Sequence, residues 1–209
     1  MVLTWLYGKQ DFLPRLKDHI LTRLLGQAYD GDEQLFTSTE RSNVVIFKDR
    51  IYCHKVLCIN YTTYDMRRAQ DSLNPRNCAD VMVLAHEDDE SHEHPYWYAR
   101  ILGVFHTFVI HRGSGSMEPR QIDFLWVRWF GRDMAHRAGW RAKRLHRIGF
   151  IPHNDPGAFG FLDPHNVIRA VHLIPGFAYG QTDEYLPGPS LARQKKENNK
   201  DWANFYVNQ

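Results

Sequence analysis

The chain has 209 residues, of which 43% are hydrophobic, 24% charged and 13% aromatic, and its mean hydropathy is -0.51. These values exclude a disordered, collagen-like or disulfide-scaffold chain and predict a globular protein with one main domain. No stretch approaches the ~18 consecutive apolar residues that a membrane helix needs, so we expect no membrane partner. Three cysteines, Cys53, Cys58 and Cys78, form an odd and sparse set that favours a reducing compartment.

The net charge of +2 is unevenly distributed along the chain. Residues 128–147 hold seven basic side chains against one acid, Asp133, and therefore carry +6. The opposite pole is an acidic run at residues 87–93. A balance of this kind does not identify a nucleic-acid-binding protein, but it leaves a local basic patch as a candidate interface.

Hydrophobic spacing predicts the elements of the first half. Residues 11–26 form a helix, because Leu13, Leu16, Ile20 and Leu24 recur at helical spacing. Residues 44–60 are rich in β-branched and aromatic side chains and predict a hairpin that turns at residues 48–50. Residues 62–78 form a polar connection, and residues 81–85 a short buried strand.

The strongest local signal is a long pair of strands. Residues 96–111 and 121–130 are strand-rich and are joined by a Gly/Ser loop, which predicts an antiparallel pair with a wide turn. Both faces of the second strand are largely apolar, so it should be central in its sheet. Arg128 is the exception, and it needs either a partner or the surface.

Residues 148–151 and 167–174 supply further short strands, and the chain from residue 176 is first Pro/Gly-rich and then polar. The apolar end, residues 202–207, either docks back on the domain or begins a further segment. We expect a mainly β protein, a small distorted antiparallel β-barrel with an N-terminal helix and short peripheral helices. Residues 1–40 are the helix and an acidic connection, 41–175 the β domain, and 176–209 an extended tail.

Several segments of the sequence resemble the C-terminal region of proteins encoded by fungal Plavaka and KDZ-type DNA transposons. The likeness spans residues 15–208 and implies a nuclear, transposon-derived protein, in which this region accompanies the remainder of the transposon protein. The segments are Arg23-Leu-Leu-Gly, Ile59-Asn-Tyr-Thr-Thr-Tyr-Asp-Met-Arg-Arg-Ala-Gln-Asp71, Tyr98-Ala-Arg-Ile-Leu-Gly-Val-Phe105, Phe124-Leu-Trp-Val-Arg-Trp-Phe-Gly-Arg132, Arg147-Ile-Gly-Phe and Phe159-Gly-Phe-Leu-Asp-Pro164.

The central hairpin has a second resemblance. The segments Tyr98-Ala-Arg-Ile-Leu-Gly-Val-Phe and Leu125-Trp-Val-Arg-Trp-Phe are similar to the central strands of bromo-adjacent homology (BAH) domains. Those chromatin modules are distorted β-barrels that bind histone tails, nucleosomes or partner proteins. The likeness covers about a third of the chain and stops after Phe130. It implies a BAH-like fold and an interaction role.

The chain offers little for catalysis, and we expect no enzyme activity and no cofactor. His86, His92 and His94 cluster around the acidic run, but no spacing typical of a zinc site accompanies them. Ser114 and Ser116 lie in a Gly/Ser loop without the strand and helix of a nucleophile elbow. We therefore assign no catalytic residue and no metal ligand, and a metal-dependent enzyme remnant is the remote alternative.

Two side-chain sets could bind a macromolecule. If residues 137–144 form a helix, one face of it carries Arg137, Arg141 and Arg144. Trp140 lies between them in the sequence. Nucleic-acid-binding proteins use such basic side chains to contact phosphates and such an aromatic ring to stack on a base. The alternative without a binding role is that these side chains form a solvated helix face. An aromatic pocket could instead hold a methylated lysine, with core packing as its alternative. The pocket residues are Tyr61, Tyr64, Trp97 and Trp126; the nucleic-acid residues are Arg137, Arg141, Lys143, Arg144 and Arg147.

These patterns favour a non-enzymatic accessory module that binds DNA or chromatin, with the segment 128–147 contacting phosphates. The competing hypothesis is a histone-tail or protein-interaction module that uses the aromatic pocket. Phosphate contacts carry no base information, so we expect binding that is sensitive to salt and weakly selective for sequence.

Overall fold

The structure, a computed structural model, describes residues 11–27, 34–63, 65–85, 95–114, 117–190, 192–194 and 197–208. Within these residues, two α-helices, α1 (Phe12–Leu24) and α2 (Ser38–Ser42), precede thirteen strands. In chain order the strands are β1 (Val44–His54), β2 (Leu57–Thr62), β3 (Arg68–Leu73), β4 (Asp80–Leu84), β5 (Tyr96–His111), β6 (Arg120–Arg132), β7 (Arg147–Phe150), β8 (Phe159–Leu162), β9 (Val167–Ala170), β10 (His172–Pro175), β11 (Gln181–Thr182), β12 (Asp201–Trp202) and β13 (Phe205–Asn208).

The long hairpin of β5 and β6 organises the fold, as its hydrophobic strands predict. The two strands pair antiparallel from Tyr98 opposite Phe130 to Val109 opposite Arg120. Each outer edge of the hairpin carries two shorter partners, β4 and β1 on β5, and β7 and β8 on β6. The mainly β, antiparallel class is therefore confirmed.

The sheet is not a closed barrel. Its main path runs β10-β13-β7-β6-β5-β4-β9, and the two end strands are consecutive in the chain, separated only by Val171. They are not paired with each other, so the sheet stays open and the predicted barrel is not formed. One apolar cluster nevertheless draws side chains from six strands of this path, including Tyr98, Phe130 and Phe205.

Helix α1 is confirmed, and it belongs to the core and not to a separate appendage. Phe12, Leu16 and Ile20 are almost fully buried, at 2%, 0% and 0% exposure, and pack in a cluster with Trp126 and Phe161 of the sheet. The helical spacing of apolar residues thus positions one face of α1 against the sheet. The predicted boundary at residue 40 is not a boundary of packing.

The hairpin predicted at residues 44–60 is wrong. Residues on both sides of the expected turn pair with the same strand, Ile46 with Val109 and Ile51 with Thr107. The segment between them is a bulge in one continuous strand, in which Lys48 and Asp49 have positive φ angles of 56° and 51°. The polar segment after Thr62, predicted as a connection, contains β3, which pairs with β2.

The predicted extended tail is also wrong. Strand β13 lies between β10 and β7, and its Phe205 and Val207 are 3% and 2% exposed. Of the two alternatives for the apolar end, docking on the domain is the one observed. A strand inside the sheet needs apolar side chains on its packed faces, which Phe205 and Val207 provide.

Among the described residues, neither helix combines the length and the apolar character needed to cross a membrane.

Candidate nucleic-acid interface

The basic segment folds as a loop between β6 and β7, and we call residues 133–146 the basic loop. Within the loop an isolated bridge forms, in which the Gly139 amide donates to the Arg144 carbonyl at 2.8 Å. The Lys143 amide donates to the Trp140 carbonyl at 3.2 Å, which closes a tight turn. Trp140 therefore lies at the tip of a small hairpin.

The helix on which the alignment of the arginines depended is absent. Gly139 has a φ of 94° and Lys143 a φ of 50°, and a right-handed helix contains neither angle. Arg137, Arg141 and Arg144 are consequently not aligned on a helix face.

The tip of the basic loop is highly exposed and positively charged. Trp140 is 98% exposed, an unusual state for the side chain with the largest apolar surface. Residues 134–146 contain four basic side chains and no acidic one. In the part of the chain that the structure describes, none of the four makes an ion pair, and all are exposed: Arg137, Arg141, Lys143 and Arg144.

Arg147 differs from these four and is not a free cation for phosphate. Its Nη2 lies 2.6 Å from Asp133 Oδ2, and its Nε donates to the same oxygen at 2.8 Å. Burial alone would raise the pKa of Asp133, but the hydrogen bond and charge of Arg147 and the backbone hydrogen bonds from Ala135 and His136 together outweigh burial, so the net pKa is lowered. The pair therefore stays ionised and fixes the base of the loop.

An open cleft of about 440 Å³ lies beside the basic loop. Its walls come from the loop, from the one-turn 3-10 helix Phe177–Tyr179 and from β13. Tyr179 is 50% exposed, and Phe177, two residues earlier, is 70% exposed. The lining residues are His136, Arg144, Leu145, Tyr179 and Tyr206.

Arg128, at the start of the predicted contact segment, is fully buried. Its guanidinium donates to both carboxylate oxygens of Asp201, at 3.0 and 2.8 Å. Arg193 donates to the same carboxylate from the C-terminal region, at 3.1 Å from both Nε and Nη2. Arg128 thus has the partner that its sequence context required, and it does not face a ligand.

The three predicted pocket aromatics that the structure describes lie in different parts of the fold. Trp126 is 6% exposed and packs in the α1 cluster, 4.7 Å from the Phe161 ring. Trp97 packs against another cluster and contacts Trp129, with ring centroids 6.3 Å apart. Tyr61 is half-buried and donates to Asp71 at 3.3 Å. Tyr64 lies outside the described residues. Core packing accounts for Trp126, which cannot line an open pocket.

No metal site is found among the described residues. His86, His92 and His94 lie outside the described residues. Within the described ranges, no group of three or more His, Cys, Asp or Glu side chains could hold a metal ion. Cys53, Cys58 and Cys78 are free and exposed.

No family model, no curated protein and no solved structure matches the chain. The resemblances to transposon proteins and to BAH domains therefore stay predictions, and the function has to follow from the side chains themselves.

Proposed function

We propose that the protein is a non-enzymatic module that binds DNA or chromatin through the tip of the basic loop. The observation that carries this proposal is Trp140, 98% exposed at a tight turn of a loop that also holds four exposed cations without ion-pair partners among the described residues. Exposing a tryptophan to water is unfavourable, which indicates that the ring is covered in a complex. The cations make a polyanion the matching partner.

The charges contact the phosphate backbone in this proposal. Arginine donates to phosphate oxygens in a bidentate geometry, and lysine acts as a point charge. Four such contacts release condensed counterions, so affinity falls with added salt. Arg147 and Arg128 of the predicted segment serve the fold, which reduces the proposed phosphate contacts to Arg137, Arg141, Lys143 and Arg144.

The cellular setting of the proposal comes from the resemblance described above. A transposon-derived nuclear protein would use such a module to hold DNA or nucleosomes for the remainder of the transposon protein. The histone-tail alternative used Tyr61, Tyr64, Trp97 and Trp126 as an open pocket, and no contact of the described aromatics favours it.

The test compares two charge reversals of equal size. R141E/R144E reverses two cations of the basic loop, whereas K55E/R68E, the control, reverses two exposed cations elsewhere, one after β1 and one on β3. We expect R141E/R144E to abolish binding of a labelled 30-base-pair duplex at low salt, and K55E/R68E to change affinity less than threefold. Unlabelled nucleosomes should compete for the wild-type protein. Equal loss in both variants, or loss in neither, would contradict the proposal.

A further inference from the structure

The cleft beside the basic loop has walls that are held in place before any ligand binds. Arg147 donates from Nη1 to the Tyr179 hydroxyl, and its guanidinium carbon lies 4.8 Å from the Tyr179 ring centroid. Tyr206 lies opposite Arg147 where β13 pairs with β7. Because Asp133 anchors Arg147, one partly exposed ion pair positions the Tyr179 ring of the cleft.

The third aromatic wall is fixed in the same manner. The His136 ring lies edge-on to Tyr206, with centroids 5.9 Å apart, and its Nε2 lies 3.2 Å from the Leu145 carbonyl oxygen. Pre-positioned rings lose little conformational freedom when a ligand enters, so the cleft is suited to bind a flat molecule. Its volume of about 440 Å³ lies within the range of small-ligand sites.

The composition of the cleft points to a nucleotide. Its aromatic walls could stack on a flat heterocycle, and Arg144, an exposed cation, stands at the same cleft and at the base of the Trp140 turn. A phosphate on Arg144 would leave the adjoining base beside Tyr179. Stacking on aromatic rings combined with backbone contacts is the general mode of single-strand recognition.

We propose that the cleft takes an unpaired nucleobase, so that the basic loop prefers single-stranded or locally opened DNA over intact duplex. In a duplex each base is already stacked on its neighbours and cannot offer a face to Trp140 or enter the cleft. This inference rests on the proposed function, because the strand is held by the same four cations. It adds to the proposed function a preference of the site for unpaired over duplex DNA.

The test uses the full chain and three fluorescent probes of one sequence: a 15-nucleotide single strand, its 15-base-pair duplex, and that duplex with one central unpaired base. We expect the single strand to bind at least tenfold more tightly than the duplex at equal salt, with the third probe between them. Single-strand binding should also quench the emission of the exposed Trp140. W140F should keep affinity and lose the quenching.

The variant Y179A isolates the cleft from the charges. We expect it to reduce single-strand affinity about tenfold and leave duplex affinity unchanged, while Y179F, which keeps the ring, restores single-strand binding. Y52A is the matched control, since Tyr52 is 40% exposed on β1. Y52A should behave as wild type.

The outcomes separate this inference from the proposed function. Salt-sensitive binding of both probes with equal affinity, unaffected by Y179A, overturns the selection of unpaired bases and leaves the DNA contact standing. No binding to any of the three probes overturns both proposals. Tighter binding to anionic lipid vesicles than to the single strand also overturns both, because Trp140 and its cations would then serve a membrane surface.

Discussion

Arg128 and Asp201 form a bidentate ion pair in which both side chains are 0% exposed, across 73 residues of sequence. The pair joins the centre of β6 to the C-terminal region, where Arg193 shares the same carboxylate. A second buried arginine, Arg100, makes comparable contacts, with Asp80 and Glu197 each at 2.6 Å. The C-terminal region is therefore held to the sheet by ionic contacts inside the protein.

Replacing Asp201 should be severely destabilising. D201N preserves the shape of the side chain but leaves Arg128 and Arg193 buried without their counter-charge, at a cost of about 3–5 kcal/mol in the free energy of unfolding. R193M should cost less, because the Arg128–Asp201 pair remains. Urea denaturation at neutral pH measures both values. A loss below about 1 kcal/mol for D201N would show that the buried charges are not coupled as described.

Histidine 19 should make stability depend on pH. Burial lowers the pKa of His19 from 6.5 to about 3, and its Nε2 has no hydrogen-bond partner among the described residues. The folded protein therefore binds this proton more weakly than the unfolded chain, so stability decreases as pH falls below 6.5. The decrease approaches about 1.4 kcal/mol per pH unit until the folded pKa is reached.

The measurement is urea denaturation of the wild type and H19L at pH 7.0, 6.0 and 5.0. Carboxylates such as Asp201 have a folded pKa below 3.8 and contribute little in this range, where they remain ionised. The free energy of unfolding of H19L should change less between pH 7.0 and 5.0 than that of the wild type. Parallel curves for the two proteins would mean that His19 titrates normally in the folded state.

Gly103 should tolerate no side chain. A Cβ atom at this position would lie 2.3 Å from Cε2 of Phe105, whose ring is buried and stacks on Phe124 with centroids 5.5 Å apart. We expect G103A to lower stability by about 1–3 kcal/mol through overpacking. G131A is the matched control on β6, since its Cβ would meet only Ile151, at 3.6 Å. Equal melting temperatures for the two variants would contradict the close approach.

Strand β13 should be required for folding. A chain that ends at Ala203 keeps the Arg128–Asp201 pair but lacks β13, so β7 and β10 lose their shared partner. We expect this truncated chain to lose cooperative unfolding and near-ultraviolet circular dichroism. Retention of a cooperative transition close to that of the full chain would restore the hypothesis that the end of the chain is an appendage.

The sequence correctly predicted the helix and the strands that are determined by the pattern of their own side chains. The helix with Leu16 and Ile20 on one face and the two long strands around Arg128 were found because hydrophobic period and β propensity are local signals. The need for a partner at Arg128 was also evident, since a charge inside a central strand must be compensated.

The remaining features depend on contacts between distant residues. Asp201 lies in a polar region that resembles a linker, and only the fold brings it to Arg128. The basic residues were found from charge alone, but their arrangement depends on left-handed backbone at Gly139 and Lys143, which the helical spacing of the arginines concealed. The cleft at Tyr179 and Tyr206 combines segments that carry no motif of their own.

The salt dependence of duplex binding tests the central claim most directly. Four phosphate contacts predict that log K falls with log salt concentration with a slope of about -3.6, and R141Q/R144Q should reduce the slope to about -1.8. R147Q should change the slope by less than the loss of one phosphate contact would, because Arg147 is already paired with Asp133. A wild-type slope near zero, or one that R141Q/R144Q leaves unchanged, would contradict phosphate binding by the basic loop.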